Sequence, residues 1–189
     1  MKIVAIGIST GGPSIVENIV KNIRFIKNGA IIICMHMQPA ILDSFVKRVT
    51  TISKFPVLIT KDDLKIKNKT IYICSADKNV LYKNFKDKEY FSLIESSTIY
   101  KPEINTFFKS IAENKSDINN VMAIILSGIG DDGVESMLLL KEKGVITIAS
   151  NKESSIVYGM PKRARELNAA KKILHLKEII KEIENFLNG

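Results

Sequence analysis

Three short runs in this chain are apolar at every position rather than at every second one. Ile3-Val4-Ala5-Ile6, Ile31-Ile32-Ile33-Cys34-Met35 and Val121-Met122-Ala123-Ile124-Ile125-Leu126 are rich in β-branched side chains, as buried strands are. A strand with one wet face alternates apolar and polar residues. One that is apolar throughout must be covered on both faces, which points to a parallel sheet between two layers of helices. The intervening segments supply those helices. Pro13 suits a first helical turn, and Ile15, Val16, Ile19, Val20 and Ile23 form one stripe behind it. The pattern returns over 40–52 with Ile41, Leu42, Phe45, Val46 and Val49, and over 103–115 with Ile104, Phe107, Phe108 and Ile111. It recurs over 133–143, which stops at Gly144, and over 177–187 with Ile179, Ile180, Ile183 and Leu187. Strands are expected at 2–8, 30–36, 56–60, 70–74, 79–83, 89–94, 121–127, 145–149 and 172–176. The polar turn Asn84-Phe85-Lys86-Asp87-Lys88 makes an antiparallel hairpin of the region near 79–94. The expected fold is α/β: a doubly wound, mainly parallel sheet with helices on both faces, in a single domain over 1–189.

Composition narrows the function classes. No apolar run approaches the roughly 18–20 residues needed to span a bilayer, so no direct membrane insertion is expected. Met1 opens directly onto the first strand, leaving no room for a signal peptide, and a cytoplasmic location is expected. Cys34 and Cys74 lie inside apolar runs and read as buried free thiols. The net charge of +8 comes mostly from scattered lysines. The densest stretch holds Lys61, Lys65, Lys67, Lys69, Lys78, Lys83, Lys86 and Lys88, broken by Asp62, Asp63, Asp77 and Asp87. It reads as a solvated edge hairpin whose lysines discourage edge pairing, or else as a steering surface for an acidic partner. With no arginine-rich stripe and no interleaved aromatics, nucleic acid is not an expected partner.

The three apolar runs also end on chemistry. The first leads into Gly7-Ile8-Ser9-Thr10-Gly11, which fits the G-x-S-x-G pattern of a nucleophile elbow, a sharp strand-to-helix turn that projects a serine hydroxyl. The helix N-terminus behind it offers backbone donors to a developing oxyanion, or alternatively to a phosphate or nucleotide. The second run ends on His36, one of only two histidines, just before Gln38-Pro39 turns the chain. A neutral imidazole there is a candidate general base, and no second histidine or cysteine stands at metal-ligand spacing. His175, near the C-terminus, reads as structural. The third run leads into Ser127-Gly128-Ile129-Gly130-Asp131-Asp132-Gly133. One aspartate there suits a carboxylate that orients the imidazole, and the other a helix N-cap. Ligands of open α/β sheets bind outside the carboxyl ends of the strands, where all three residues fall. The order Ser, His, Asp is not that of α/β-hydrolases, so a triad here is one by geometry on a different sheet.

Taken together, Ile6-Gly7-Ile8-Ser9-Thr10-Gly11-Gly12-Pro13, His36-Met37-Gln38-Pro39, Leu126 to Gly133 and the tail Ala149 to Pro161 resemble the catalytic domain of the chemotaxis receptor methylesterases of the CheB type. The likeness covers nearly the whole chain. It implies Ser9 as nucleophile, His36 as base, Asp132 rather than Asp131 as the carboxylate, and oxyanion donors from the backbone N–H groups of Thr10 and Ile129. It implies hydrolysis of γ-glutamyl methyl esters on the cytoplasmic helices of chemoreceptors, deamidation of receptor glutamines as a second activity, and no cofactor. A receptor-binding scaffold without turnover is the competing expectation within that resemblance. Two departures stand out. Members usually carry an N-terminal phosphorylatable receiver domain, whereas this sequence starts at the catalytic strand: either it is cut there or it is a stand-alone form, and Met1 makes the stand-alone form the expectation. The family's Arg-Pro-x-[Ile/Val]-Asp segment is replaced by Lys101-Pro102-Glu103-Ile104-Asn105, and lysine does not reproduce a bidentate arginine.

Overall fold

The computed structural model describes residues 1–86, 88–95, 97–98 and 100–189. Seven strands form one parallel sheet in the order β3-β4-β2-β1-β7-β8-β9. Its centre is β1 (Ile3–Ile8), flanked by β2 (Ala30–Met35) and β7 (Val121–Ile125), the three fully apolar runs. Every residue of these strands is buried, as two-sided cover requires. On one side β2 is followed by β4 (Thr70–Ile73) and the edge strand β3 (Val57–Ile59). On the other lie β8 (Ile146–Ser150) and β9 (Lys172–Leu174).

Alternation within the strands splits the core in two. Val4, Ile6 and Ile8 face helices α1 (Gly12–Asn22), α2 (Pro39–Ile52) and α6 (Leu176–Asn188). Ile3 and Ala5 face α3 (Ile104–Asn114), α4 (Val134–Glu142) and α5 (Met160–Glu166). The short α5 has no counterpart in the sequence reading. Its seven residues, four of them charged, are too few and too polar to show a helical stripe.

The antiparallel hairpin of β5 (Asn79–Phe85) and β6 (Lys88–Ile94) forms as expected, with strands that run further than expected. They take Asn84, Phe85 and Lys88 out of the anticipated five-residue turn, whose Asp87 lies outside the described residues. The hairpin does not extend the main sheet's edge. It is a separate two-stranded sheet laid over the face that also carries α3. Val80, Tyr82 and Phe91 point into that core, and Phe91 meets Tyr72 of β4 edge-on at 5.0 Å between ring centroids. The lysine-rich stretch is therefore not a free edge. Lys65 forms an antiparallel bridge with Tyr90, because burying three large side chains outweighs keeping the ribbon in water.

Candidate active site

The chain turns from one side of the sheet to the other at the pair β1–β7, so the crevice outside their carboxyl ends is the topological switch point. Ser9 follows β1 directly. Its N–H donates to Ser127 O at 2.9 Å, and its carbonyl accepts Gly12 N–H at 2.8 Å, closing a tight turn. Gly11 makes that turn with φ +82°, a left-handed conformation in which a side chain is strained. At Gly128 the constraint is space, since a Cβ there would stand 2.8 Å from Ser9 Cβ. The donor-rich first turn expected of α1 is thinner than the sequence implied. Gly12 N–H is engaged by Ser9 O and Pro13 has none, which removes most of what a phosphate cradle needs.

His36 follows β2, and its N–H continues the parallel ladder to Ile8 O at 3.1 Å. Its ring spans the gap between the other two residues. Nδ1 lies 3.0 Å from Ser9 Oγ, and Nε2 lies 2.6 Å from Asp132 Oδ2. An ionised carboxylate only accepts, so the proton belongs on Nε2 and the Nδ1 lone pair faces the serine hydroxyl. Serine proteases use the two ring nitrogens the other way round. Either nitrogen can carry the proton, so the logic is unchanged.

Asp132 is buried, whereas Asp131 is exposed and engages α4 only through its carbonyl, which accepts Val134 N–H. The sequence reading assigned one aspartate to a helix N-cap and the other to the imidazole. The structure corrects this: Asp132 does both, and the helix it caps is not the next one. Its Oδ2 accepts Ile104 N–H at 2.8 Å and its Oδ1 accepts Asn105 N–H at 2.9 Å, the first donors of α3. In return Asn105 Oδ1 accepts Ser136 N–H at 3.1 Å in the first turn of α4. The two helices cap each other across the crevice. The departure Lys101 to Asn105 thus forms the seat of the Asp132 carboxylate.

Of the two expected oxyanion donors, Thr10 follows Ser9 and Ile129 follows Gly128, the residue that packs against Ser9. Among the described residues, the N–H groups of Thr10 and Ile129 donate to no protein acceptor. The matching tail also finds its place here. Ser127 Oγ donates to Thr10 O at 2.7 Å and accepts Val157 N–H at 2.8 Å, while Gly159 and Met160 N–H both donate to Gly128 O. Sequence reasoning missed Ser127 as a brace and Tyr100 as a neighbour of His36, whose ring it covers at 4.7 Å. A serine inside a strand-end motif and a tyrosine beside an already noted segment were the only signals. His175 is the N-cap of α6, its Nδ1 accepting Lys177 N–H, a structural role as expected. Cys34 and Cys74 are buried and unpaired by disulfide. Burial, with Cys74 beside it, pushes the Cys34 thiol well above the ordinary cysteine range. Among the described residues, no group of three or more His, Cys, Asp or Glu side chains is arranged to hold a metal.

A family model described as CheB methylesterase matches residues 4–183. The chain belongs to the CheB methylesterase family. It is similar to a protein-glutamate methylesterase/protein-glutamine glutaminase of Photobacterium profundum, 32% identical over 94% of this chain and 51% of the relative. One from Caldanaerobacter subterraneus subsp. tengcongensis is 33% identical over 89% of this chain and 47% of the relative. The chain spans about half the length of the curated relatives it matches. The crystal structure of the Thermotoga maritima CheB methylesterase catalytic domain covers it more fully. There 97% of each chain superposes with a TM-score of 0.91 at 30% identity. The family's doubly wound sheet and small antiparallel hairpin are those described above.

Proposed function

We propose that residues 1–189 form one catalytic unit, a cytoplasmic protein-glutamate methylesterase acting through Ser9, His36 and Asp132. The observation that carries this reading is the unbroken line of hydrogen bonds from Ser9 Oγ through both ring nitrogens of His36 to a buried carboxylate. Ser9 Oγ attacks the carbonyl carbon of a γ-glutamyl methyl ester while His36 Nδ1 takes its proton. The oxyanion that forms is received by the N–H groups of Thr10 and Ile129, where each donor is worth about 10²–10³ in rate. His36 then protonates the departing methoxide, releasing methanol and leaving an acyl-enzyme. Water activated by the same ring frees the glutamate. A glutamine side chain follows the same course with ammonia as the leaving group.

The substrate proposed is the methylated cytoplasmic helix of a chemoreceptor, following the names of the relatives. The net charge of +8 favours encounter with an acidic helix, so association slows as salt rises. Among the described residues no helix is long and apolar enough to cross a membrane. The test is methanol release from methylated receptor by this chain, with Ser9→Ala beside it. The substitution should reduce release by about 10⁶-fold, to the background. Turnover surviving in Ser9→Ala would overturn the mechanism, and binding without turnover by the unaltered chain would make it a scaffold.

A further inference from the structure

An imidazole makes its hydrogen bonds in the plane of the ring, and those of His36 go to Ser9 and to Asp132. In-plane bonds at both nitrogens fix where the ring sits, but they resist rocking about the line joining the partners only weakly. What lies on the ring's face decides that remaining freedom. Tyr100 lies there, with ring centroids 4.7 Å apart and planes within 1° of parallel.

The loop that carries Tyr100 is fastened from the hairpin. Asn79, the first residue of β5, is only 1% exposed. Its Nδ2 donates to Thr98 Oγ1 at 3.2 Å and its Oδ1 accepts Glu103 N–H at 2.8 Å, so one buried amide holds a residue on each side of Tyr100. Thr98 Oγ1 in turn donates to Tyr100 O at 2.9 Å. The phenol hydroxyl reaches toward Gly130, where an added Cβ would stand 3.8 Å from it. Yet Tyr100 is 44% exposed, so this arrangement does not serve to bury an aromatic side chain.

We infer that Tyr100 is a positioning residue for His36, holding the plane of the imidazole and facing the positive charge that develops on it during acyl transfer. This rests on the hydrolase reading above. The electron-rich face of a phenol attracts an imidazolium more than a neutral imidazole. His36 becomes cationic as it takes the Ser9 proton, so the stack strengthens on the way to the transition state, which raises kcat rather than tightening substrate binding. The hairpin then has a part in the chemistry, because Asn79 presents the loop that presents the ring.

The experiment compares the unaltered chain with Tyr100→Leu and Tyr100→Phe. It measures the rate at which a small alkyl fluorophosphonate labels Ser9, the kcat and KM for p-nitrophenyl acetate, and methanol release from methylated receptor. Tyr100→Leu should slow labelling and both kcat values about threefold to thirtyfold, with KM within about twofold. Tyr100→Phe keeps the face and should restore rates to within about twofold. Thermal unfolding, unchanged for a half-exposed side chain, excludes a general loss of fold. Labelling of Tyr100→Leu at the unaltered rate overturns the inference. So does a loss confined to KM for the receptor, which would make Tyr100 a substrate contact, and so does a Phe variant as slow as Leu. An unaltered chain whose Ser9 is labelled but that releases no methanol sinks the methylesterase reading while leaving the inference on Tyr100 standing. A Ser9 that never labels overturns both.

Discussion

Two buried carboxylates hold two polar networks at opposite ends of β1, and they differ in how their bonds terminate. At the carboxyl end Asp132 holds His36, and the line continues to a serine hydroxyl at the crevice. At the amino end Glu89 of β6 pairs with Lys115, accepts the Tyr82 hydroxyl at 2.9 Å, and is closed off when Lys115 Nζ donates to Met1 O at 2.9 Å. Both ion-pairing partners there are almost wholly buried. The second network ties the hairpin, α3 and the start of β1 together, and its groups are satisfied within the fold. The first is built from similar parts but leaves one lone pair aimed at the Ser9 hydroxyl, beside the N–H groups of Thr10 and Ile129, which among the described residues donate to no protein acceptor. Burial and pairing alone therefore do not mark a reactive site. The mark is a bonded chain that is rigid at one end and open at the other.

The sharpest way to break the comparison is at the aspartate. Asp132→Asn should keep an acceptor for Asn105 N–H but place an NH2 where Oδ2 accepts Ile104 N–H and faces His36 Nε2, favouring the wrong imidazole tautomer and lowering kcat for methanol release about 10⁴-fold, or about 5 kcal/mol of transition-state stabilisation. Asp132→Ala should in addition lose the cap and about 1–2 kcal/mol of stability, read as a lower urea midpoint. If Asn at 132 retained kcat within tenfold, the two networks would be of one kind.

The matching cut at the other end is Glu89→Ala. It strands the Lys115 ammonium in the core and should cost about 3–5 kcal/mol of stability, with labelling of Ser9 per folded molecule unchanged. The apolar pair Glu89→Leu with Lys115→Met should recover most of that loss in a urea melt. A large fall in Ser9 labelling without unfolding would show the two ends to be coupled.

A smaller effect tests the reciprocal caps. Asn105→Ala should cost about 1 kcal/mol, while Asn105→Asp, the residue typical of the resembled motif, should keep the acceptor for Ser136 N–H and hold the urea midpoint. Smallest is a slope with pH. Burial and the neighbouring Glu89 push the Tyr82 phenol well above the ordinary tyrosine range. The unfolded chain gives up that proton near about pH 10 while the fold retains it, so unfolding releases a proton there. The contribution is complete below about pH 10 and is lost as pH rises beyond it. Tyr72, raised by its own burial, acts with the same sign. Urea midpoints against pH should fall less steeply above about pH 10 in Tyr82→Phe.

Much of the site was legible because its parts stand at the ends of locally recognisable strands. Ser9 and His36 each follow a run whose apolar character is a property of consecutive residues, and parallel pairing of β1 with β2 brings those strand ends level. Asp132 needed more. Its doubled neighbour left two carboxylates for two tasks, and nothing local showed that one would perform both by capping a helix that begins 28 residues earlier. The hairpin was recognisable from its turn, yet its position over the sheet face rather than at the edge depends on where Tyr82 and Phe91 find a core. Tyr100 and Ser127 gave only weak signals because their roles are contacts with distant segments. The Ser127 hydroxyl meets a carbonyl 117 residues away.

The sequence by itself determined a parallel sheet covered on both faces, every covering helix but the short α5, and three candidate site residues at its carboxyl edge. Periodicity and strand-end chemistry are written in neighbouring residues, and they bound the fold and the class of reaction. Only the tertiary structure decided which aspartate the imidazole meets, which nitrogen faces Ser9, and what lies over the ring. Those are matters of a few tenths of an ångström between segments as far apart as the 96 residues separating His36 from Asp132. Packing fixes such distances when helices, hairpin and sheet settle together, and no local pattern encodes them.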